Sequence, residues 1–170
     1  MSYLLKGGTF FFMKNRIFTP PMNIADRYHN IKSVFLGGSI EQGTAEDWQK
    51  YVSGKLQSSF NVFNPRRSDW DSSWEQNITN AQFFQQVEWE LNALEHSDYI
   101  IMNFIPETMS PISLLELGKF AQPGKMFVCC PEGYWRKGNV DIFCSKYNIE
   151  MFDNIDQLIN TLFNLDHDRK

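Results

Sequence analysis

The sequence contains few cysteines, and its histidines are scattered. Of three cysteines in 170 residues, Cys129 and Cys130 are adjacent within an apolar run, an arrangement typical of neither a disulfide framework nor a CxxC metal site. HxH and HExxH pairs are also absent, so we expect no metal and no cofactor. His29, His96 and His167 are far apart along the chain, which argues against a histidine-based triad. This composition favours a reducing cytoplasm.

A long hydrophobic run and an excess of positive charge are missing too. No apolar stretch approaches the roughly 18 residues needed to cross a bilayer, so we expect no membrane partner. The 16 Lys and Arg residues against 20 Asp and Glu residues give a net charge of −4. That balance argues against binding a nucleic acid polymer through many phosphates. The expected partner is therefore a small molecule.

The chain is long enough for one domain. A domain of roughly 150 residues buries about two thirds of the surface of its unfolded chain and needs no disulfide or metal for stability. Residues 1–30 show no regular pattern and are predicted to form a poorly specified leader. A single domain is predicted over residues 31–170.

From Lys32 onward, short apolar runs alternate with stretches of helical periodicity. Strands are predicted at 33–36, 60–63, 98–105, 126–130 and 149–152. Helices are predicted at 45–57, 80–96, 110–121, 139–146 and 155–165. Such alternation predicts an α/β fold, with a five-stranded parallel sheet and helices on both faces. Ligands of open parallel sheets bind beyond the carboxyl ends of the strands, so the segments that follow the strands are the candidates for function.

The turn after the first predicted strand is a candidate anion site. Gly37, Gly38 and Ser39 offer backbone N–H groups and a hydroxyl near a helix start, which favours a ligand group such as phosphate. The Lys-Ser/Thr ending of a P-loop is absent. An ordinary turn between a strand and a helix is the alternative.

The long polar loop at 64–80 combines charged, amide and aromatic groups that suit a base or an anion. Its candidate binding residues are Asn64, Arg66, Arg67, Asp69 and Trp70. Alternatively, the tryptophans cover the core and the arginines only balance the aspartates. Aromatic and basic residues recur after a later strand, where the candidates are Arg136 and Asn139.

Glu116 is the candidate nucleophile. It lies in the second turn of a helix that is predicted to begin with Ser110 as a hydroxyl cap, followed by Pro111. The positive end of the helix dipole favours an ionised carboxylate, which suits a nucleophile better than a proton donor.

A second acid, Glu90, lies late in the preceding helix, eight residues before Asp98. Two carboxylates at one crevice can divide the work of glycosyl transfer, since one attacks the sugar and the other manages protons. Glu88 and Glu95 compete for the second role, and each acid alone also fits a plain surface charge. The apolar stripe of this helix is predicted to be Phe83, Phe84, Val87, Leu91 and Leu94.

Six motifs occur in order between about Ser33 and Phe152. They are VFLGGSI at 34–40, FNPRRSDWD at 63–71, QVEWEL at 86–91, SDYIIMNF at 97–104, SPISLLELGKFA at 110–121 and CCPEGYWRKGNVD at 129–141. Together they resemble the nucleoside 2-deoxyribosyltransferase superfamily, in particular its branch of short deoxyribosyltransferase-like proteins. The resemblance implies that Glu116 attacks C1′ of the (deoxy)ribose and forms a glycosyl-enzyme ester. It also implies that Glu90 protonates the base, where the transferases usually carry an aspartate, and that Asp98 is the aspartate opening the next strand.

Two residues differ from the pattern of the transferases. Ser110 stands where they carry an aspartate that binds the 5′-hydroxyl of the sugar. A serine there resembles the sister group that hydrolyses deoxynucleoside 5′-monophosphates, in which the hydroxyl contacts the phosphate, and the turn with Ser39 resembles that group's phosphate loop. Phe35 replaces a tyrosine that would orient the nucleophile.

The sequence and the resemblance together predict a flavodoxin-like or Rossmann-like three-layer sandwich that acts on a nucleoside or nucleotide. The predicted reaction is cleavage of the N-glycosidic bond through Glu116, with transfer of the sugar to another base. Hydrolysis of a (deoxy)nucleoside 5′-monophosphate is the first alternative, and a non-catalytic nucleotide-binding sensor is the second. The superfamily forms homo-oligomers, so the resemblance also implies at least a dimer.

Overall fold

A computed structural model describes residues 16–40 and 46–167 of the chain. In these ranges the strands are β1 Ile17–Phe18, β2 Ser33–Gly38, β3 Asn61–Phe63, β4 Tyr99–Asn103, β5 Met126–Cys129 and β6 Glu150–Phe152. The α-helices are α1 Trp48–Leu56, α2 Ala81–His96, α3 Pro111–Phe120, α4 Lys137–Lys146 and α5 Ile155–His167, and a short 3-10 turn occupies Ile24–Asp26. None of these helices combines the length and the apolar character that a bilayer span requires.

All six strands are parallel and lie in the order β1-β3-β2-β4-β5-β6. The chain moves from β2 to β3 on one side and then crosses to β4 on the other side. The topological switch point therefore lies between β2 and β4, where ligands of such sheets bind. This arrangement confirms the predicted α/β fold with a parallel sheet.

The sheet has one strand more than predicted. Ile17 and Phe18 pair with Val62 and Phe63 of β3 and form an additional edge strand. These two residues fall within the stretch predicted as a leader, and a two-residue strand is too short to show a periodic pattern in the sequence. The first 15 residues of that stretch lie outside the described ranges.

Helices cover both faces of the sheet and make it the middle of three layers. On one face, α2, α3 and α4 contribute Trp89, Leu117 and Val140 to the core. On the other face, α1 and α5 contribute Val52 and Leu158. Strands buried on both faces need apolar side chains at nearly every position, which explains the continuous apolar runs of β4 and β5.

The inward face of α2 differs from the predicted stripe. Its buried residues are Gln86, Trp89, Ala93 and Leu94, whereas Phe84 and Leu91 are exposed. The stripe was predicted from apolar residues alone. It was wrong at Phe84 and Leu91, whereas Leu94 is buried and Phe83 and Val87 are partly buried. The observed orientation of α2 is important for the site because it turns two polar residues, Gln86 and Glu90, toward the protein interior.

Candidate functional site

The end of β2 lies unusually close to β4 at the switch point. Gly38 has a φ of +131°, and a Cβ added there would lie 2.0 Å from the carbonyl oxygen of Asn103. The N–H of the next residue, Ser39, donates to the same carbonyl at 2.9 Å. Only glycine allows this approach, because any Cβ would overlap the backbone of β4.

Beyond this glycine, three buried hydroxyls form a cluster that we call the hydroxyl cluster: Ser39, Thr108 and Ser110. The Oγ of Ser39 lies 2.7 Å from Oγ1 of Thr108 and 2.8 Å from Oγ of Ser110, and it accepts the N–H of Ile105 at 2.9 Å. The structure thus places the Ser39 hydroxyl inside the protein, where it fixes the segment between β4 and α3.

Ser110 precedes α3 and Pro111 is the first residue of the helix, as predicted, but the Ser110 hydroxyl does not cap the helix. The prediction of a hydroxyl cap was wrong because Ser110 has a left-handed backbone conformation, with a φ of 48°, and its hydroxyl belongs to the hydroxyl cluster. Ser113 of α3 donates a second hydrogen bond, to the carbonyl of Gly38 at 2.9 Å. The start of α3 is therefore attached to the end of β2 through side chains of both serines.

The loop after β5 holds the same segment from the other side. The hydroxyl of Tyr134 and the indole N–H of Trp135 both donate to the carbonyl of Met109, at 3.0 and 3.1 Å. Arg136 stacks on the Trp135 ring, 4.1 Å from its centroid. Both Arg136 and Asn139 are exposed, at the start of α4 after this loop.

Glu116 is buried on the inner face of α3, beside Ser113 and Leu117. Burial, together with the nearby Glu90 carboxyl, raises the pKa of Glu116 to about 8. The helix dipole would act in the opposite direction, as expected from the sequence, but removal from water has the larger effect. The carboxyl of Glu116 is thus held ready to take up or release a proton near neutral pH.

Glu90 lies close enough to Glu116 for their charges to interact. Gln86, one turn earlier on α2, donates from Nε2 to Oε1 of Glu90 at 2.7 Å and to the carbonyl of Pro65 at 2.9 Å. Burial raises the pKa of Glu90 to about 7, against the opposing effect of the Gln86 hydrogen bond. The structure therefore places the two predicted glutamates within electrostatic range of each other, and it adds Gln86, which the sequence analysis missed.

The competing acids lie elsewhere. Glu88 and Glu95 are exposed on the outer face of α2. Asp98 lies at the amino end of β4, where it accepts hydrogen bonds from Nζ of Lys32 at 2.7 Å and from the N–H of Ser33 at 2.9 Å. Burial raises the pKa of Asp98, but the hydrogen bonds from these two neighbours outweigh it and hold the pKa below its ordinary value. The structure does not bring Asp98 to the two glutamates, because it lies at the amino end of β4, whereas the helix that carries Glu116 follows the carboxyl end of β4.

In the loop after β3, Arg66 is tied to α1. The backbone N–H of Arg66 donates to Oδ1 of Asn64 at 2.9 Å. Its side-chain Nε lies 3.3 Å from both Oε1 of Gln49 and Oδ1 of Asp47. These contacts fix the path of the loop where it leaves the sheet.

Arg67 and Asp69 form a bidentate pair, with Nε to Oδ1 at 2.6 Å and Nη2 to Oδ2 at 2.8 Å. The guanidinium lies over Trp74 at 5.0 Å, and the Trp74 ring contacts Trp70 at 5.2 Å between centroids. The alternative that the arginines balance aspartates thus describes Arg67 and Asp69 correctly. It does not account for Nη1 of Arg67 and Nε1 of Trp70, which are buried and have no hydrogen-bond partner.

Phe35 and Gly37 both lie in β2. Phe35 is fully buried within the core between the sheet and α2, and its ring lies 3.1 Å from the position that a Cβ on Gly37 would occupy. In the described ranges, no three His, Cys, Asp or Glu side chains form a group able to hold a metal ion.

Comparison with known proteins supports the resemblance found in the sequence. A family model described as nucleoside 2-deoxyribosyltransferase like matches residues 31–134, which is more than half of the chain. No curated protein matches the sequence. The matched range includes Glu90, Glu116 and the hydroxyl cluster.

Proposed function

The chain belongs to the nucleoside 2-deoxyribosyltransferase-like family, and we propose that it cleaves the N-glycosidic bond of a (deoxy)nucleoside or nucleotide and transfers the sugar to another base. The observation that carries this proposal is the pair of interacting glutamates, Glu116 and Glu90, whose pKa values are both raised by burial. Titratable groups perturbed in this way cluster at catalytic sites. The family match supports a nucleoside or nucleotide as the substrate.

In the first step, the Glu116 carboxylate attacks C1′ of the sugar. The bond between C1′ and the base nitrogen breaks, its electron pair goes to the base, and Glu90 gives the base a proton. The products are a glycosyl ester on Glu116 and a neutral free base. In the second step, the nitrogen of another base attacks C1′ and passes its proton to Glu90, and the ester bond breaks to restore the Glu116 carboxylate.

This sequence requires one proton on the glutamate pair. The reacting form is the one in which Glu90 carries it and Glu116 is ionised, although the pKa of Glu116, about 8, lies above that of Glu90, about 7. Burial disfavours charge on both side chains, and each charge disfavours the other, so the pair holds its last proton near neutral pH. Burial also keeps water away from the ester, which favours a base over water as the acceptor of the sugar.

We therefore expect kcat/KM to follow a bell-shaped dependence on pH, with its maximum between about 7 and about 8. Below this window the pair holds two protons, so Glu116 cannot act as a nucleophile. Above it the pair has lost its last proton, which the departing base needs. Initial rates from about pH 5 to about pH 10 measure the profile, with Glu88→Gln on the exposed face of α2 as a variant that leaves it unchanged. A rate independent of pH over this range would contradict the proposed protonation states of Glu90 and Glu116.

The proposed reaction is tested by incubating a deoxynucleoside with a second free base and separating the products. An exchanged nucleoside supports transfer. A 2-fluoro analogue of the sugar slows the second step, so intact-mass measurement should find one glycosyl group attached to the wild-type chain and none attached to Glu116→Gln. Free base and free sugar without exchange would replace transfer by hydrolysis, and ligand binding with no turnover by the wild type would leave only a sensor.

Hydrolysis of a 5′-monophosphate is the second candidate, and the residue before α3 favours it. Ser110 brings a hydroxyl and no negative charge to the start of this helix, where the helix dipole attracts anions. A carboxylate at this position would repel a phosphate. Comparing KM for a deoxynucleoside with KM for its 5′-monophosphate distinguishes the two substrates.

A further inference from the structure

Several buried polar atoms around the loop after β3 have no hydrogen-bond partner. They include Nη1 of Arg67 and Nε1 of Trp70, within the loop, and Oε1 of Gln86, on the adjacent face of α2. Buried polar groups in folded proteins are nearly always paired, so each exception needs an explanation. A ligand that supplies the missing partners would explain all three.

The two unpaired donors belong to one side-chain cluster. The Arg67 side chain is only 5% exposed, and its Nε and Nη2 are used by Asp69, so Nη1 is the end that remains. Trp74 connects the cluster, since its ring contacts the Arg67 guanidinium on one side and the Trp70 ring on the other. An unpaired guanidinium N–H and an unpaired indole N–H are thus held in the same part of the loop.

The unpaired acceptor has a fixed orientation. The amide nitrogen of Gln86 donates to both Glu90 and the carbonyl of Pro65, so its two hydrogens are used and the amide cannot turn over without losing both bonds. Pro65 is two residues before Arg67 in the same loop. The Gln86 carbonyl oxygen therefore lies beside the loop that carries the two donors, and on the same amide that holds the proposed acid.

The net charge of the cluster formed by Arg67, Asp69, Trp70 and Trp74 indicates which kind of ligand it binds. Asp69 neutralises Arg67 through a bidentate pair, so the cluster carries no net positive charge and suits a neutral acceptor better than a phosphate. A carbonyl oxygen has two lone pairs and can accept from both donors at once, whereas a ring nitrogen has one. A ring N–H next to that carbonyl can donate to the oxygen of Gln86.

We propose that Arg67, Trp70 and Gln86 recognise the lactam edge of an oxo nucleobase, such as hypoxanthine, guanine, uracil or thymine. The base carbonyl accepts from Nη1 of Arg67 and Nε1 of Trp70, and the adjacent ring N–H donates to Oε1 of Gln86. Adenine has no carbonyl oxygen and cannot complete this set. The inference rests on the proposed function, because the base is placed beside Glu90, the acid that protonates it.

Binding of free hypoxanthine and free adenine, measured by calorimetry on the full chain, tests the inference without requiring turnover. We expect hypoxanthine to bind at least about tenfold more tightly than adenine, since a site built to hydrogen-bond a group rejects an analogue that lacks it. Trp70→Phe removes the donor and keeps an aromatic ring, so it should weaken hypoxanthine binding about tenfold and leave adenine binding unchanged. Trp74→Phe, in the same cluster, should leave the preference for hypoxanthine intact.

The result separates this inference from the proposed reaction. Selective base binding without any turnover would retain the recognition site and remove the catalytic proposal. Equal affinity for the two bases, a Trp70→Phe variant with unchanged preference, or no measurable binding of either base would overturn the recognition site, even if the enzyme transferred sugars.

Discussion

Replacing Glu116 with glutamine is expected to abolish turnover and, at the same time, to stabilise the protein above about pH 5. Glutamine has nearly the same shape but cannot form the glycosyl ester, so kcat should fall by at least about a thousandfold. The stabilisation follows from the pKa of Glu116, which rises from 4.5 to about 8 on folding. Ionisation at high pH therefore acts against the folded state.

The sign of this effect can be worked out directly. At pH values below 4.5, Glu116 is protonated in both states and costs the fold nothing. As the pH rises from there to about 8, the unfolded chain ionises first, so the free energy of unfolding declines, and above about 8 the loss is constant. The shift corresponds to up to about 5 kcal/mol. Because the buried amide of glutamine also needs hydrogen bonds, we expect a net gain of about 2 kcal/mol for Glu116→Gln at high pH.

Urea unfolding at about pH 5 and about pH 9, on the wild type and on Glu116→Gln, measures the effect. Glu88→Gln removes an exposed carboxylate and serves as the control, with no comparable gain expected. Residual activity near the wild-type level would rule out Glu116 as the nucleophile. Lost activity without any stability gain at the higher pH would mean that ionisation of the buried Glu116 carboxyl does not destabilise the folded state.

The strands and helices could be predicted from the sequence because both faces of the sheet are buried. β4 and β5 are almost continuously apolar, and the stretches between strands show helical spacing, so element type and order follow from local pattern. The edge strand Ile17–Phe18 could not be found in this way. It consists of two residues, and only pairing with β3 makes it a strand.

The site residues could be predicted where they belong to a sequence motif. They could not be predicted where tertiary packing determines which side chains are buried. The face of α2 was predicted from its most apolar residues, whereas the buried face contains Gln86 and places Glu90 beside it. A weak signal was present, since Gln86, Trp89, Glu90 and Ala93 share one side of a helix at spacings of three and four. Burial of Glu116, which raises its pKa against the predicted effect of the helix dipole, could not be inferred for a similar reason. A helix dipole can be inferred from sequence, but the extent of desolvation depends on tertiary packing.

The contact between β2 and β4 leads to the largest effect expected on stability. A Cβ at Gly38 would lie 2.0 Å from the Asn103 carbonyl oxygen, and the φ of +131° is one that alanine rarely adopts. Gly38 and Asn103 are register partners in neighbouring central strands, so neither backbone can move without breaking the sheet. We expect Gly38→Ala to lower the free energy of unfolding by at least about 3 kcal/mol, which is a large part of the stability of a typical domain.

Urea unfolding of Gly38→Ala against Gly54→Ala isolates the cause of this loss. Gly54 lies within α1 with no atom within 4 Å of an added Cβ, so alanine there should stabilise the protein by up to about 1 kcal/mol. If β2 and β4 instead separate to admit the methyl group, the carbonyl of Gly38 moves away from Ser113. The start of α3 then loses an attachment, and Glu116 shifts from Glu90. A folded Gly38→Ala variant should accordingly lose activity, whereas one with wild-type stability and turnover would contradict the close approach of the two strands.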